Sequence, residues 1–227
     1  MPRSEMNTNS LCRIGVFYDG SYFTYARNYF YHERKLGWLE LRPFQALLET
    51  FIRTREQGYN HYRVVYSAWF QGMFSSRKAE PRQLKNERNL LHDLMHSGIE
   101  PKYMPMPLAG GGEKGSDVAL AVDAMQIGLA GKVDIAVLVT GDADFVPLAR
   151  ALMKEGIRVM GAYFEYENNG HKSFINERLA KVCNYTLNIN DAQRDRELKA
   201  LFKGLFRRSD ERRVQTFPVS VEPPLAD

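Results

Sequence analysis

The sequence predicts an α/β fold in which a mainly parallel sheet lies between two layers of helices. The apolar run at residues 135–139 does not alternate with polar residues, as is typical of strands covered on both faces. Such strand-like runs alternate along the chain with segments whose apolar residues have helical spacing. This alternation indicates βαβ units, and therefore parallel strands whose connecting helices form a three-layer α/β/α arrangement.

The first half of the chain provides three of the predicted strands. After the strand at 13–18 comes an aromatic-rich stretch, and residues 43–55 then have apolar side chains at helical spacing, with Pro43 suited to a first turn. The second strand follows at 62–70, and a charged helix at 81–96 ends at Ser97-Gly98. Residues 99–106 form the third predicted strand, and its prolines make it irregular or place it at an edge.

The second half repeats the pattern. A helix from residue 116 to about residue 130 follows a glycine-rich loop at 110–115, and Ser116 or Asp117 caps it. The strand at 135–139 leads into a helix that begins at Phe145, where Asp144 is a candidate cap. A strand at 157–164, a polar loop at 165–170, a short helix at 173–181 and a last strand at 182–189 complete the domain.

The C-terminal segment differs from the rest. Between residues 191 and 213, Leu198, Leu201, Phe202, Leu205 and Phe206 follow the spacing i, i+3, i+4, i+7, i+8, which predicts an amphipathic helix. Such a helix packs on its own domain, on a second copy of the chain or on another protein. Residues 214–227 contain three prolines and are predicted to be disordered. We therefore expect a flexible start at 1–11, a domain at 12–190, the helix and a tail.

Composition sets broad limits on function. The 227 residues carry a net charge of +4, which permits a polyanionic partner without requiring one. The two cysteines, Cys12 and Cys183, are far apart, so they predict neither a disulfide framework nor a zinc site, and they suit a reducing compartment. No signal peptide and no membrane-spanning run occurs, so we expect a cytoplasmic protein.

Aspartates follow two of the predicted strands. Asp19 ends the first, and Asp142 and Asp144 follow the strand at 135–139. Open α/β sheets bind ligands at the carboxyl ends of their strands, so these carboxylates are expected to converge there, and Asp117 joins them only if the preceding loop carries it there. Crowded carboxylates normally hold Mg²⁺ or Mn²⁺, ions that activate water and stabilise charge on a phosphoryl group. Metal-assisted phosphodiester hydrolysis is the reaction this predicts.

Each aspartate also has a structural interpretation. Asp19-Gly20 is compatible with a simple turn, and Asp117 with a carboxylate that faces the helix dipole. Asp123 lies opposite the apolar side chains Val118, Val122, Met125 and Leu129 on the helical wheel. That position fits either a solvated residue or one that holds the site's ligands in place without contacting the metal itself.

Three segments resemble, in order, the motifs of the NYN domain, the LabA-like branch of the PIN-like nuclease superfamily. They are FYDGS at 17–21, KGSDVALAVD at 114–123 and VTGDADFVPL at 139–148. The resemblance implies a Rossmann-like α/β/α fold and a metal-dependent ribonuclease. It places Asp19, Asp117, Asp142 and Asp144 at the acidic positions, with Ser21 and Thr140 beside them, and Asp123 also matches a family aspartate. The chain departs from the family at Tyr22, where an Asn is usual.

Contacts with RNA would need cations and stacking surfaces near the acidic centre. Arg77, Lys78 and Lys114 are the candidate cations, with Arg82 and Lys85 nearby in sequence. The aromatic residues Tyr22, Phe23, Tyr25, Tyr29, Phe30 and Tyr31 are the candidate stacking surfaces. A solvated helix face explains the charges equally well, and a core or dimer contact explains the aromatic residues.

The leading hypothesis is therefore a ribonuclease that depends on Mg²⁺ or Mn²⁺. A module that binds RNA without turnover and recruits a partner through its C-terminal helix is the non-enzymatic alternative. A phosphatase or phosphotransferase is a third, because Asp-x-Asp also serves there. Those enzymes usually carry that motif after the first strand, where this chain has Asp19-Gly20-Ser21 instead.

Overall fold

The computed structural model describes residues 10–73, 79–105, 115–168 and 171–207. The strands of these ranges are β1 Leu11–Asp19, β2 Trp38–Leu39, β3 His61–Met73, β4 Glu100–Pro105, β5 Ile135–Val139, β6 Arg158–Tyr163, β7 Tyr166–Asn168, β8 His171–Ser173, β9 Tyr185–Asn188 and β10 Phe206–Arg207. The α-helices are α1 Gly20–Asn28, α2 Leu41–Arg55, α3 Pro81–His96, α4 Ser116–Leu129, α5 Val146–Lys154, α6 Glu177–Val182 and α7 Lys199–Gly204. A π-helical turn spans Tyr29–Glu33, and 3₁₀ turns span Ala143–Phe145 and Ile189–Gln193.

Six of the described strands form one parallel sheet in the order β4-β3-β1-β5-β6-β9. This sheet confirms the predicted α/β class. The proline-containing strand β4 lies at one edge, as predicted, where its missing backbone donors cost nothing. Strand β5 is central, and all five of its residues are buried, which explains its continuous apolar sequence.

Each face of the sheet carries its own hydrophobic core. Helices α1, α2, α3 and α7 pack on one face, around side chains such as Phe23, Phe44 and Trp69. Helices α4, α5 and α6 pack on the other face, around Phe17, Leu120 and other apolar residues. The result is the three-layer α/β/α arrangement, in which the carboxyl ends of the parallel strands lie together at one end of the sheet.

Two segments differ from the predictions, and a third had none. The aromatic stretch after β1, for which no element was predicted, is the helix α1 followed by the π-helical turn. The predicted polar loop at 165–170 includes part of a short antiparallel hairpin, β7 and β8. The segment from 191 is not one long helix over its described part: after α7 the chain extends, and Phe206 pairs with Leu39 of β2. Residues 208–227, which include the predicted tail, lie outside the described ranges.

No helix in the described ranges is long and apolar enough to cross a membrane.

Candidate active site

The carboxyl ends of β1 and β5 bring Asp19 and Thr140 side by side. The two strands are parallel neighbours, and Tyr18 is in register with Val139, so the residue after each lies at the same level of the sheet. Thr140 is buried, and its Oγ1 donates to Oδ2 of Asp19 over 3.4 Å. The same hydroxyl accepts a hydrogen bond of 3.2 Å from the backbone N–H of Asp142. One hydroxyl group therefore connects the two aspartates.

The carboxylate of Asp19 also caps helix α1. Its Oδ1 accepts from the backbone N–H of Tyr22 over 3.0 Å, so the negative charge lies at the positive end of the helix dipole. Gly20 permits this abrupt change from strand to helix. A Cβ there would lie 2.3 Å from Nε1 of Trp69 and 2.8 Å from the carbonyl oxygen of Phe70, so only glycine fits.

The second acidic turn is capped by Asp142. Its Oδ1 accepts from the backbone N–H of Asp144 over 2.9 Å and begins the 3₁₀ turn that leads into α5. The sequence interpretation of Asp144 as the cap is therefore wrong. Gly141 is needed for a close approach, because a Cβ at this position would lie 2.3 Å from the carbonyl oxygen of Phe174.

A cleft of about 850 Å³ opens at the end of the sheet where β1 and β5 end. Asp19, Thr140 and Asp142 line it, and Asp142 is exposed. Asp117, in the first turn of α4, and Asp144 are also exposed, but they do not belong to the described lining of this cleft. Among the described residues, which include all four aspartates, no three Asp, Glu, His or Cys side chains form a ready-made metal-binding group.

Two other residues predicted to support the site, Ser21 and Asp123, do not belong to the described lining of the cleft. Ser21 is half-buried in the first turn of α1 and is not part of the described lining of the cleft. The Asp123 side chain is 16% exposed and accepts from the Tyr66 hydroxyl over 2.6 Å, with Nζ of Lys102 at 3.6 Å. The solvated interpretation of Asp123 is therefore wrong: this carboxylate faces the sheet, and Val118, at 66%, is the exposed side chain.

Aromatic side chains form much of the cleft wall. Three residues of the aromatic stretch line it: Tyr22, Tyr25 and Tyr29. Phe23 and Phe30 are instead buried in the core. Part of the stretch is therefore available for stacking, and part of it is core. The Tyr29 ring stacks on Tyr166, with 4.3 Å between centroids. Sequence reasoning missed Tyr166, which lies in the hairpin that was expected to be a loop.

The hydroxyl of Tyr22 has a structural task. This hydroxyl accepts from the backbone N–H of Phe164 over 2.9 Å and lies 3.5 Å from Oγ of Ser173. Burial raises the pKa of Tyr22 to about 12, so the phenol stays protonated at neutral pH. Tyr22 thus joins α1 to the segment after β6.

The three predicted RNA-binding cations lie outside the described residues: Arg77, Lys78 and Lys114. The glycine-rich loop over 110–114 also lies outside them. Lys172 of β8 lines the cleft, and its Nζ lies 3.3 Å from a carboxylate oxygen of Glu167. Sequence reasoning missed Lys172, because nothing in the local pattern places this hairpin beside β1.

Comparison with known proteins identifies a family and similar solved structures. Residues 13–190 match the model of the NYN domain. A crystal structure of a protein of unknown function from Vibrio parahaemolyticus is similar to this chain, with a TM-score of 0.51 and 20% sequence identity. The similarity covers 84% of this chain and 98% of that chain, and at this identity it concerns the fold alone. No curated protein matches the chain.

Proposed function

Because this chain belongs to the NYN domain family, we propose that it is a divalent-metal-dependent ribonuclease that hydrolyses RNA phosphodiester bonds. The family is part of the PIN-like superfamily, and its members are generally nucleases. The observation that supports this chemistry most directly is the juxtaposition of Asp19, Thr140 and Asp142 in one open cleft.

The donor atoms of this cleft fit Mg²⁺ or Mn²⁺. Asp19 and Asp142 offer carboxylate oxygens and Thr140 a hydroxyl oxygen, and hard cations prefer such ligands. Mg²⁺ usually keeps several water ligands and takes only one or two carboxylates, so a group of three acidic side chains is not required. In the proposal, Asp19 and Asp142 hold the ion, and Asp117 and Asp144 supply further negative charge from positions given by the family motifs.

Residues of the chain would hold the metal ion and the RNA in position. A bound divalent ion lowers the pKa of a water ligand and neutralises charge on a phosphate. The Asp19 carboxylate is held by the N–H of Tyr22 and by Thr140, so its oxygens keep one orientation. Lys172 and the aromatic wall would bind the RNA strand, through its phosphates and its bases respectively.

The test is cleavage of a labelled single-stranded RNA by the purified chain with Mn²⁺ or Mg²⁺. Asp19→Asn and Asp142→Asn should each reduce the rate by about 100-fold or more, since loss of even an outer partner of a metal site costs up to about that factor. Asparagine caps helices as well as aspartate does, so both variants should keep the local backbone. Calorimetric titration with Mn²⁺ should show weaker binding in the same variants.

Glu155→Gln is the matched control. Glu155 is exposed just after α5, at the opposite end of that helix from Asp142, so the variant removes one negative charge far from the cleft. Its cleavage rate should equal that of the unmodified chain. Equal cleavage by Asp142→Asn would reject the assigned site.

A module that binds RNA without turnover is the second candidate. One observation favours it: Tyr22 stands where the family usually has Asn. RNA binding without cleavage under any divalent ion would support this candidate over the nuclease.

A further inference from the structure

A second cavity of about 640 Å³ adjoins the cleft. Asn28 and His32 line both cavities, so helix α1 and the π-helical turn form the ridge between them. Gln71 lines the second cavity and directly follows Phe70, which is in register with Asp19 on the neighbouring strand. Strand spacing places the backbones of Gln71 and Asp19 roughly 6 Å apart. A nucleotide next to one bound at Asp19 can therefore reach this cavity.

The cavity contains a buried arginine with hydrogen-bonding capacity to spare. Arg27 is 3% exposed, its Nε donates to the carbonyl oxygen of Leu39 over 2.8 Å, and its guanidinium lies 4.9 Å from the Trp38 ring. Burial lowers the pKa of Arg27 to about 10, so it remains charged at neutral pH. Its Nη groups make no hydrogen bond within the described part of the chain, so they remain as donors for a ligand.

Two glutamines in the lining also present donors. Oε1 of Gln71 accepts from Nε1 of Trp69 over 2.9 Å, and Oε1 of Gln83 accepts from the backbone N–H of Glu80 over 2.8 Å. Both partners are N–H groups that can only donate, so the orientation of each amide is fixed. The Nε2 group of each glutamine is then left to donate elsewhere.

We infer that this second cavity binds one base of the RNA strand through its carbonyl edge, guanine or uracil in preference to adenine. The inference rests on the proposed function for the identity of the polymer. Arginine donors match the O6 and N7 acceptors of guanine, and carbonyl oxygens of uracil offer acceptors as well. At the position of the carbonyl, adenine carries an amino group, so the arginine and glutamine donors that pair with a carbonyl oxygen would meet a donor there.

Two further features of the lining fit a base. Trp38 and His32 provide rings for stacking, which contributes to single-strand binding whatever the sequence. The carboxylates of Glu87 and Asp93 belong to the same lining and add acceptors. Guanine and uracil each carry an N–H next to a carbonyl, and that pair of groups suits a site with both donors and carboxylates.

The experiment compares three mononucleotides without divalent metal. GMP, UMP and AMP are titrated into the full chain, and binding is followed by tryptophan fluorescence, because Trp38 lines the cavity and Trp69 is fully buried. GMP and UMP should bind about fivefold or more tightly than AMP, as expected for one well-paired base edge. Equal affinities for the three nucleotides would overturn the inference.

Gln71→Glu and Gln83→Glu replace a donor by an acceptor at constant size. Each glutamate still accepts the existing N–H, and Glu is a normal partner in the capping box at position 83, so both variants should fold. The preference of the chain for GMP over AMP should fall by about fivefold or more in each. Gln126→Glu, at an exposed position of α4 on the other face of the sheet, should leave the preference unchanged.

The outcomes separate this inference from the proposed function. An unchanged preference in both cavity variants would overturn the base site even if the chain cuts RNA. Selective GMP binding that Gln71→Glu abolishes would support the base site even if no divalent ion gives cleavage. Cleavage and mononucleotide binding are measured on different samples, so failure of one does not hide the other.

Discussion

Thr140 is the residue on which the geometry of the cleft depends most directly. Its buried hydroxyl donates to Asp19 and accepts from the backbone of Asp142, so one side chain fixes the relation between two strand ends. No aliphatic side chain can perform both tasks. Thr140 therefore holds Asp19 and the Asp142 backbone in place, whether or not it contacts a substrate.

Thr140→Val should lower RNA cleavage by about 10- to 100-fold, the usual cost of losing an outer partner of a metal site. The same change should lower the free energy of unfolding by about 1–3 kcal/mol, because the N–H of Asp142 loses its acceptor. Cleavage at saturating Mn²⁺ and urea denaturation measure the two effects.

Thr140→Ser keeps the hydroxyl and serves as the control. Its cleavage rate should be close to that of the unmodified chain. If the serine variant loses as much activity as the valine variant, the hydroxyl alone does not explain the role of Thr140.

At the level of single elements, helix α4 shows how tertiary packing chooses a helix face. Leu120 and Ala124 face the sheet, and at Gly128 a Cβ would lie 2.5 Å from Cδ1 of Ile157. The small residues Ala124 and Gly128 let this side of the helix approach the domain closely. Val118 and Leu129, on another side of the helix, are 66% and 62% exposed, although their spacing favours burial.

Matched leucine truncations on α4 test this orientation. Leu120→Ala should lower the free energy of unfolding by about 2–5 kcal/mol, because a fully buried leucine leaves a cavity. Leu129→Ala should change it by less than about 0.5 kcal/mol, as expected for an exposed side chain. Urea denaturation measures both, and equal losses would mean that α4 is rotated from the orientation described here.

Across the whole molecule, buried tyrosines couple stability to alkaline pH. Burial raises the pKa of Tyr22, Tyr103 and Tyr185 to about 12, and it raises that of Tyr18 further. Burial also raises the pKa of Tyr66, with the hydrogen bond to Asp123 and the charge of that carboxylate adding to the effect. The folded chain therefore keeps phenol protons that the unfolded chain releases above its ordinary pKa of about 10.

The sign of the pH dependence follows from these raised values. The stability contributed by the tyrosines is fully present below pH 10 and is lost as the pH rises from about 10 toward 12, since the unfolded state binds fewer protons there. Tyr22 alone contributes roughly 2–3 kcal/mol in this way. Urea denaturation between pH 8 and pH 11 should show a steep decline beginning near pH 10.

Tyr66→Phe tests the assignment of this decline. The variant should be less stable at pH 8 by about 1 kcal/mol, because it loses the hydrogen bond to Asp123, and its stability should fall less steeply above pH 10. A free energy of unfolding that stays constant from pH 9 to pH 11 would contradict the burial of these phenols.

The missed elements have a common physical cause. Helix α1 is rich in residues of modest helix propensity, and it is stabilised by the Asp19 cap and by packing of Phe23 in the core. The sequence signal for this helix is Asp19, because aspartate is favoured at the position just before a helix. The C-terminal segment has a helical pattern, but pairing of Phe206 with Leu39 ends the helix early. A local pattern cannot include such a contact, which lies more than 160 residues away.

The sequence alone predicted the six strands of the central sheet, the α/β class and the acidic residues after β1 and β5, because apolar runs and strand ends are local properties of the chain. Tertiary structure alone decided that β1 and β5 are neighbours, that Thr140 therefore reaches Asp19, and that α1 divides two cavities. It also decided that Asp123 faces the sheet rather than solvent. The order of strands and the buried face of a helix depend on contacts between distant segments, and these contacts leave no periodic mark in the sequence.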